Sequence, residues 1–150
     1  MKRVPTLAAL AVAVAAACAV ADDKKELKLP PLDSKEWKEV KGKDGLKTWD
    51  VKEGTGTEVK PGATVKIHYT GWLKDGTVFD SSVKRGQPAE FPLNNLIKGW
   101  QAGIPGMKVG GTRRLYIPYE QAYGARGRPP IIPEKADLVF EIELLDATNP

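Results

Sequence analysis

Between Gly45 and Asp146 the apolar positions follow two periods, and those periods predict the elements. Leu46, Thr48 and Val51 suggest a first strand, ended by the turn Glu53-Gly54-Thr55-Gly56. Lys60-Pro61-Gly62 marks a second turn. Val65, Ile67 and Tyr69 then alternate with Lys66, His68 and Thr70, the period of a half-buried strand. Asp75-Gly76 is a hairpin dipeptide, and Val78-Phe79 starts the return strand. Phe91 and Leu93 mark another short extended piece. Leu96, Ile97, Trp100 and Ile104 fall on one face of a helix that Asn94 or Asn95 can cap and that Gly103 and Pro105 help to stop. Leu115 and Ile117 form a strand that ends at Pro118. A long Gly- and Pro-rich connection follows, tipped by Ile131-Ile132. Leu138, Phe140, Ile142 and Leu144 alternate with Val139, Glu141 and Glu143 in a last strand. The sum is an α+β domain, one twisted antiparallel sheet packed on one short helix.

The N-terminal third is different. Met1-Lys2-Arg3 precedes an apolar run from Leu7 to Val20, and Ala19-Val20-Ala21 gives a small-x-small pattern. Residues 1–21 are expected to be a signal peptide cleaved after Ala21. The run is short for a membrane helix. Cys18 is the single cysteine and a candidate lipid-attachment site, although Ala15 stands where a lipobox carries Leu. Retention of the leader as an anchor is the third outcome. Only lipidation or retention would bring the chain to a membrane. Residues 22–44 are expected to be a charged, solvated linker, because charges crowd it and Pro30-Pro31 interrupts it. Within it, Trp37 is the residue able to dock on the domain. The ordered domain is placed at residues 45–147.

Composition then removes several functions. The net charge is +4, and Lys2 and Arg3 of the leader supply two of those charges, leaving +2 beyond it. No basic stripe interleaved with aromatics points to nucleic acid. GxGxxG and P-loop patterns are absent from the sequence. His68 is the only histidine, which argues against a His-based zinc site, and its place on the polar face of a strand suggests a solvated side chain. Ser81 and Ser82 have no evident base. What remains is a set of aromatics: Tyr69, Phe79, Phe91, Trp100, Tyr123 and Phe140. Periodicity is equally compatible with a plain core and with a pocket lining. Asp80, directly after Phe79, is either a turn former or a carboxylate at a pocket edge.

Seven short motifs carry a resemblance. They are Ile67-His68-Tyr69-Thr70-Gly71, Asp75-Gly76, Phe79-Asp80-Ser81-Ser82, Ile97-Lys98-Gly99-Trp100, Gly106-Met107-Lys108-Val109-Gly110, Ala122-Tyr123-Gly124 and Leu138-Val139-Phe140. In this order and spacing they resemble the FKBP-type peptidyl-prolyl cis–trans isomerases, the macrolide-binding rotamases, from about Leu46 to Asp146. The resemblance implies a curved antiparallel sheet of five to six strands wrapped around one short helix. It implies rotation about Xaa-Pro bonds without a cofactor or metal. The same pocket could serve instead as a non-catalytic peptide-binding chaperone or tether.

Carried over position by position, the resemblance places Tyr69, Phe79, Asp80, Tyr123 and Phe140 in the catalytic pocket. Phe91, Leu96, Ile97, Ile131 and Ile132 would contact substrate, with Trp100 as the floor. The Ile97 N–H and the Tyr123 hydroxyl would hold substrate carbonyls, and Arg85 would support Asp80. The implied partners are proline-containing polypeptides and macrolide inhibitors. Export would put the work in the periplasm or cell envelope, assisting the folding of exported proteins. The arm is too short for a helical dimerisation domain, so a monomer is expected. The chain departs from the family pattern in three places. Ala89 stands where many members have an aromatic, Arg128 and Pro129-Pro130 alter the long loop, and Pro92 to Leu96 is short. These changes bear on macrolide contact and on the residue preferred before proline.

Overall fold

The computed structural model describes residues 27–150. The expected signal peptide and Cys18 lie outside the described residues. Seven strands form one antiparallel sheet: β1 (Lys38–Glu39), β2 (Lys47–Lys52), β3 (Thr64–Leu73), β4 (Val78–Ser81), β5 (Ala89–Pro92), β6 (Thr112–Ile117) and β7 (Leu138–Thr148). Their order is β1-β2-β6-β7-β3-β4, with β5 also paired to β3. Among the described residues two short α-helices accompany the sheet, α1 (Ser82–Arg85) and α2 (Lys98–Gly103). The α+β reading holds. The sheet has one strand more than the five to six expected, because β1 comes from residues read as linker.

The ten-residue β3 sits centrally because its alternation buries one complete face. Val65 and Ile67 are fully buried and Tyr69 nearly so. One edge of β3 pairs along its length with β7, and the other is shared by β4 at one end and β5 at the other. Leu138, Phe140, Ile142 and Leu144 of β7 add to the same core, as the alternation predicts. Helix α2 lies against β6. A Cβ on Gly99 would come within 2.4 Å of Ile117, and one on Gly103 within 2.7 Å of Leu115. The two glycines, four residues apart on one face, set how closely the helix approaches the sheet.

The helix begins later than its apolar pattern suggests. Leu93–Asn95 form a separate 3-10 turn, and Ile97 occupies the N-cap position without a side-chain cap. Asn94 and Asn95 therefore cap nothing in α2. The apolar face is satisfied by burial of Trp100 and Ile104 against the sheet, so packing outweighs capping. In β2, Val51 is exposed, whereas Leu46, one residue before the strand, is fully buried.

The linker boundary at residue 44 also needs correction. Trp37 packs edge-on against Trp49 at 5.5 Å and Tyr116 at 6.3 Å. Lys38–Glu39 pair with Thr48 and Lys47. Further back, the Leu27 carbonyl accepts a hydrogen bond from Trp72 Nε1 at 3.3 Å. The register Trp72↔Val139↔Tyr116 puts these side chains in one row, on the opposite face of the sheet from Phe140. Residues 27–40 thus lie as a strap over the outer face, where Trp72 and Val139 are almost wholly buried. Charge and proline content suggested solvation, but the aromatic row supplies enough apolar surface to hold the strap.

Candidate active site

A cleft of about 430 Å³ opens between the sheet and α2. It is lined by Tyr69, Phe79, Asp80, Phe91, Asn95, Leu96, Ile97, Trp100, Tyr123, Arg128 and Phe140. At its base Trp100 meets Phe140, Tyr69 and Phe91 edge-on at 5.0, 5.4 and 6.1 Å. Phe79 stands edge-on to Phe140 at 5.5 Å. Gly71 makes room for that pair, because a Cβ there would lie 2.6 Å from the Phe79 ring and 2.7 Å from Phe140.

Strand alternation would send Phe79 and Asp80 to opposite faces. A bulge removes the conflict. Gly71 pairs with Asp80 and Trp72 with Val78, so Phe79 is the extra residue and both neighbours reach the cleft. The next two residues fix this geometry from behind. Ser81 caps α1 through Lys84 N–H and lies 2.9 Å from Thr70 Oγ1. Ser82 Oγ accepts from Tyr69 N–H at 2.8 Å and lies 3.0 Å from His68 Nδ1. His68 is therefore half-buried and bonded rather than solvated. Ser82 is fully buried, where its hydroxyl ties the Tyr69 backbone to the His68 ring behind the cleft.

The single turn of α1 carries Arg85 back to Asp80. Arg85 Nη1 donates to Asp80 Oδ1 at 2.5 Å, Tyr69 hydroxyl donates to Asp80 Oδ2 at 2.5 Å, and Arg85 Nη2 donates to the Tyr69 oxygen at 3.1 Å. Burial pushes the Asp80 carboxyl up, but hydrogen bonds from Tyr69 and Arg85, with the Arg85 charge, outweigh it and hold the group below its ordinary 3.8. Burial, then the bond to the Asp80 carboxylate, raises the Tyr69 hydroxyl above its ordinary 10.0. The Asp80 and Arg85 side chains are 40% and 53% exposed, so the pair contributes little stability and serves mainly to aim the carboxylate.

Three donors at the cleft have no protein acceptor among the described residues. They are the buried Trp100 Nε1, the N–H of Ile97 and the hydroxyl of Tyr123. The structure therefore brings together Tyr69, Phe79, Asp80, Phe91, Leu96, Ile97, Trp100, Tyr123 and Phe140. Ile131 and Ile132 do not line the cleft. Ile131 is 60% exposed at a loop tip, and Ile132 is buried in the core. Arg85 acts on Asp80 from outside the lining. Ala89 pairs with Ile67 in β5 and is likewise absent from the wall. Asn95 and Arg128 are lining residues that no periodic signal marks.

Residues 55–145 match the model of the family described as FKBP-type peptidyl-prolyl cis-trans isomerase. The chain belongs to this family. An FK506-binding protein of Neisseria meningitidis is 52% identical over 98 residues, covering 64% of this chain and 90% of that relative. A peptidyl-prolyl cis-trans isomerase from Pseudomonas syringae aligns with a TM-score of 0.70 at 34% identity, covering 99% of each chain. FkpA from Escherichia coli aligns with a TM-score of 0.72 at 38% identity, over 91% of this chain and 60% of that one. The chain is an FKBP-type isomerase with the family's curved sheet and short helix. Among its described residues no helix is long and apolar enough to cross a membrane.

Proposed function

We propose that the aromatic cleft takes the proline ring of a polypeptide and that Asp80, Ile97 and Tyr123 hold the flanking amides while the Xaa-Pro bond turns. The observation that carries this reading is the set of donors left unpaired among the described residues in a largely aromatic wall with Asp80 at its edge. Trp100 Nε1 is buried, where an unpaired donor is costly, and the half-buried Ile97 N–H and Tyr123 hydroxyl stand open to an acceptor that arrives with the substrate.

Rotation about a peptide bond has a barrier of about 18–20 kcal/mol because amide resonance is lost. Xaa-Pro bonds populate both isomers yet exchange slowly. A catalyst needs no nucleophile here; it must bind the twisted amide better than either planar form. The twisted form carries less charge on its carbonyl oxygen, so a dry, largely aromatic wall penalises it less than the more polar planar form. The ring, seated on Trp100, becomes the fixed side of the rotation. Ile97 N–H and Tyr123 hydroxyl hold carbonyls on the chain, converting a floppy segment into an oriented one. Asp80, ionised and aimed by Arg85 and Tyr69, faces the reacting amide from the opposite rim. A macrolide with an apolar ring would compete for the same seat.

The setting is also part of the proposal. The leader pattern of residues 1–21 supports export, and with it a role in folding proteins outside the cytoplasm. The strap supports a monomer, because residues 27–40 cover the outer face that a second copy could otherwise use.

The test is cis-to-trans exchange of short Ala-Xaa-Pro-Phe peptides by exchange NMR. The wild-type chain should accelerate exchange strongly. Asp80→Ala and Tyr69→Phe should each lose about 10- to 100-fold in kcat/KM, the scale expected when an orienting group is lost. Peptide binding without acceleration would turn the reading toward a chaperone or tether.

A further inference from the structure

The cleft carries two charged side chains, and only one of them is compensated. Asp80 is held by Arg85 and Tyr69. Arg128, which also lines the cleft, has no acidic partner among the described residues. Its side chain lies over the Tyr123 ring, with the guanidinium carbon 5.8 Å from the ring centroid.

This arginine is not on a loose loop. Arg128 N–H donates to the Ile132 carbonyl at 2.8 Å, and Ile132 N–H returns to the Arg128 carbonyl at 3.0 Å. Ile132 is buried, so this reciprocal pair pins the Arg128 backbone to the core. Gly127, just before it, has φ of +66°, and a Cβ there would lie 2.1 Å from the Pro133 carbonyl oxygen. The backbone is thus fixed at a position only glycine can precede, and the side chain rests on an aromatic face. Pro129, Pro130 and Ile131, between the two paired residues, are exposed.

We infer that Arg128 is a specificity-determining residue, which makes the isomerase prefer Xaa-Pro segments with a carboxylate next to the proline. A proline ring filling the aromatic cleft leaves its sequence neighbours at the rim, where a planar guanidinium offers paired donors to a carboxylate. The Asp80–Arg85 pair is close to neutral as a unit, so Arg128 sets the sign of the rim. The inference rests on the isomerase reading above.

The experiment compares kcat/KM for Ala-Glu-Pro-Phe, Ala-Lys-Pro-Phe and Ala-Leu-Pro-Phe, and for peptides with Glu, Lys or Leu after the proline. In the wild-type chain at low salt, Glu should exceed Leu by about two- to fivefold at one of the two positions, and Lys should fall below Leu. Raising the salt should collapse the spread. Arg128→Gln should erase the Glu-to-Lys ratio and Arg128→Glu should invert it. Because each ratio is taken within one variant, a loss of folded protein cancels. A ratio near one at both positions in the wild type, or a ratio unchanged in Arg128→Gln, overturns the inference while acceleration of the Leu peptide leaves the isomerase reading standing. No acceleration of the Leu peptide overturns both.

Discussion

Tyr69 and Trp72 stand three residues apart on β3, and each is at least 95% buried: Tyr69 is 5% exposed and Trp72 2%. They are buried against opposite things. Tyr69 faces the cleft, among rings whose polar atoms are partly unpaired: neither Trp100 Nε1 nor the Tyr123 hydroxyl has a partner among the described residues. Trp72 faces the strap, where its indole donor and that of Trp37 are answered, while the half-buried Trp49 indole has no protein acceptor among the described residues. Trp72 Nε1 reaches the Leu27 carbonyl, and Trp37 Nε1 reaches the Pro31 carbonyl at 2.9 Å. The cation–aromatic contacts follow the same division. Arg114 stacks 4.4 Å from Trp49 and pairs with Glu141 on the outer face, whereas Arg128 over Tyr123 has no acidic partner among the described residues. One face is closed by residues 27–40 of the chain, and the other keeps donors that no described residue answers. Unpaired buried donors, more than aromatic content, separate a binding face from a structural one.

The strongest way to break that comparison is to empty the outer face. Trp72→Ala removes a nearly fully buried indole and should cost about 3–5 kcal/mol in urea unfolding. Exchange catalysis per folded molecule should stay close to wild type, because Trp72 points away from the cleft. A fall in kcat/KM of the folded fraction would show that the two faces are coupled through β3.

The next effect separates the faces by pH. Burial alone raises the Asp80 carboxyl, and the Tyr69 and Arg85 hydrogen bonds bring it below 3.8. A depressed carboxyl contributes stability above its unfolded value, and that contribution is lost as pH falls through the lower folded value. Catalysis that needs the carboxylate should therefore be flat from neutral pH down to the ordinary carboxylate range. Arg85→Gln removes one lowering partner and leaves burial in place, so the acid limb of kcat/KM should move upward. Trp72→Ala should leave that limb where it is. An unchanged limb in Arg85→Gln would mean that Asp80 ionisation does not govern the rate.

Alternation revealed the inner face because burial there is continuous. Val65, Ile67 and Tyr69, then Leu138 to Leu144, carry the period of 2 without interruption. The cleft was legible through motifs rather than through period, since a ring in a core and a ring in a wall look alike. Phe79-Asp80 shows the limit most clearly: adjacent residues share a face only because a bulge spends one extra residue, and no pattern in the sequence announces that bulge. The placement of Arg128 depends on the Ile132 pairing, a contact closed by tertiary structure. The strap was hidden for a different reason. Its charges and prolines describe a chain that cannot fold alone, while the surface that holds it comes from Trp49, Trp72, Tyr116 and Val139, far away in sequence.

The smallest effect tests whether the strap belongs to the domain. Trp37 is half-buried and makes two edge-on contacts, to Trp49 and Tyr116. Aromatic pairs of this kind contribute about 0.5–1.5 kcal/mol each beyond area burial, so Trp37→Ala should cost about 1–2 kcal/mol after relaxation of an exposed segment. The more telling readout is local. Val40 N–H donates to the Leu46 carbonyl at 2.9 Å, and β1 pairs with β2 through only two register positions. With Trp37 gone these bonds lose their anchor, and hydrogen exchange should rise at Lys38 to Val40 while amides of β3 and β7 keep their protection. Exchange catalysis should be unaffected, since nothing from residues 27–40 lines the cleft. Lost protection in β3 would instead make the strap a cooperative part of the folded sheet, and the outer face would then help to hold the shape of the inner one.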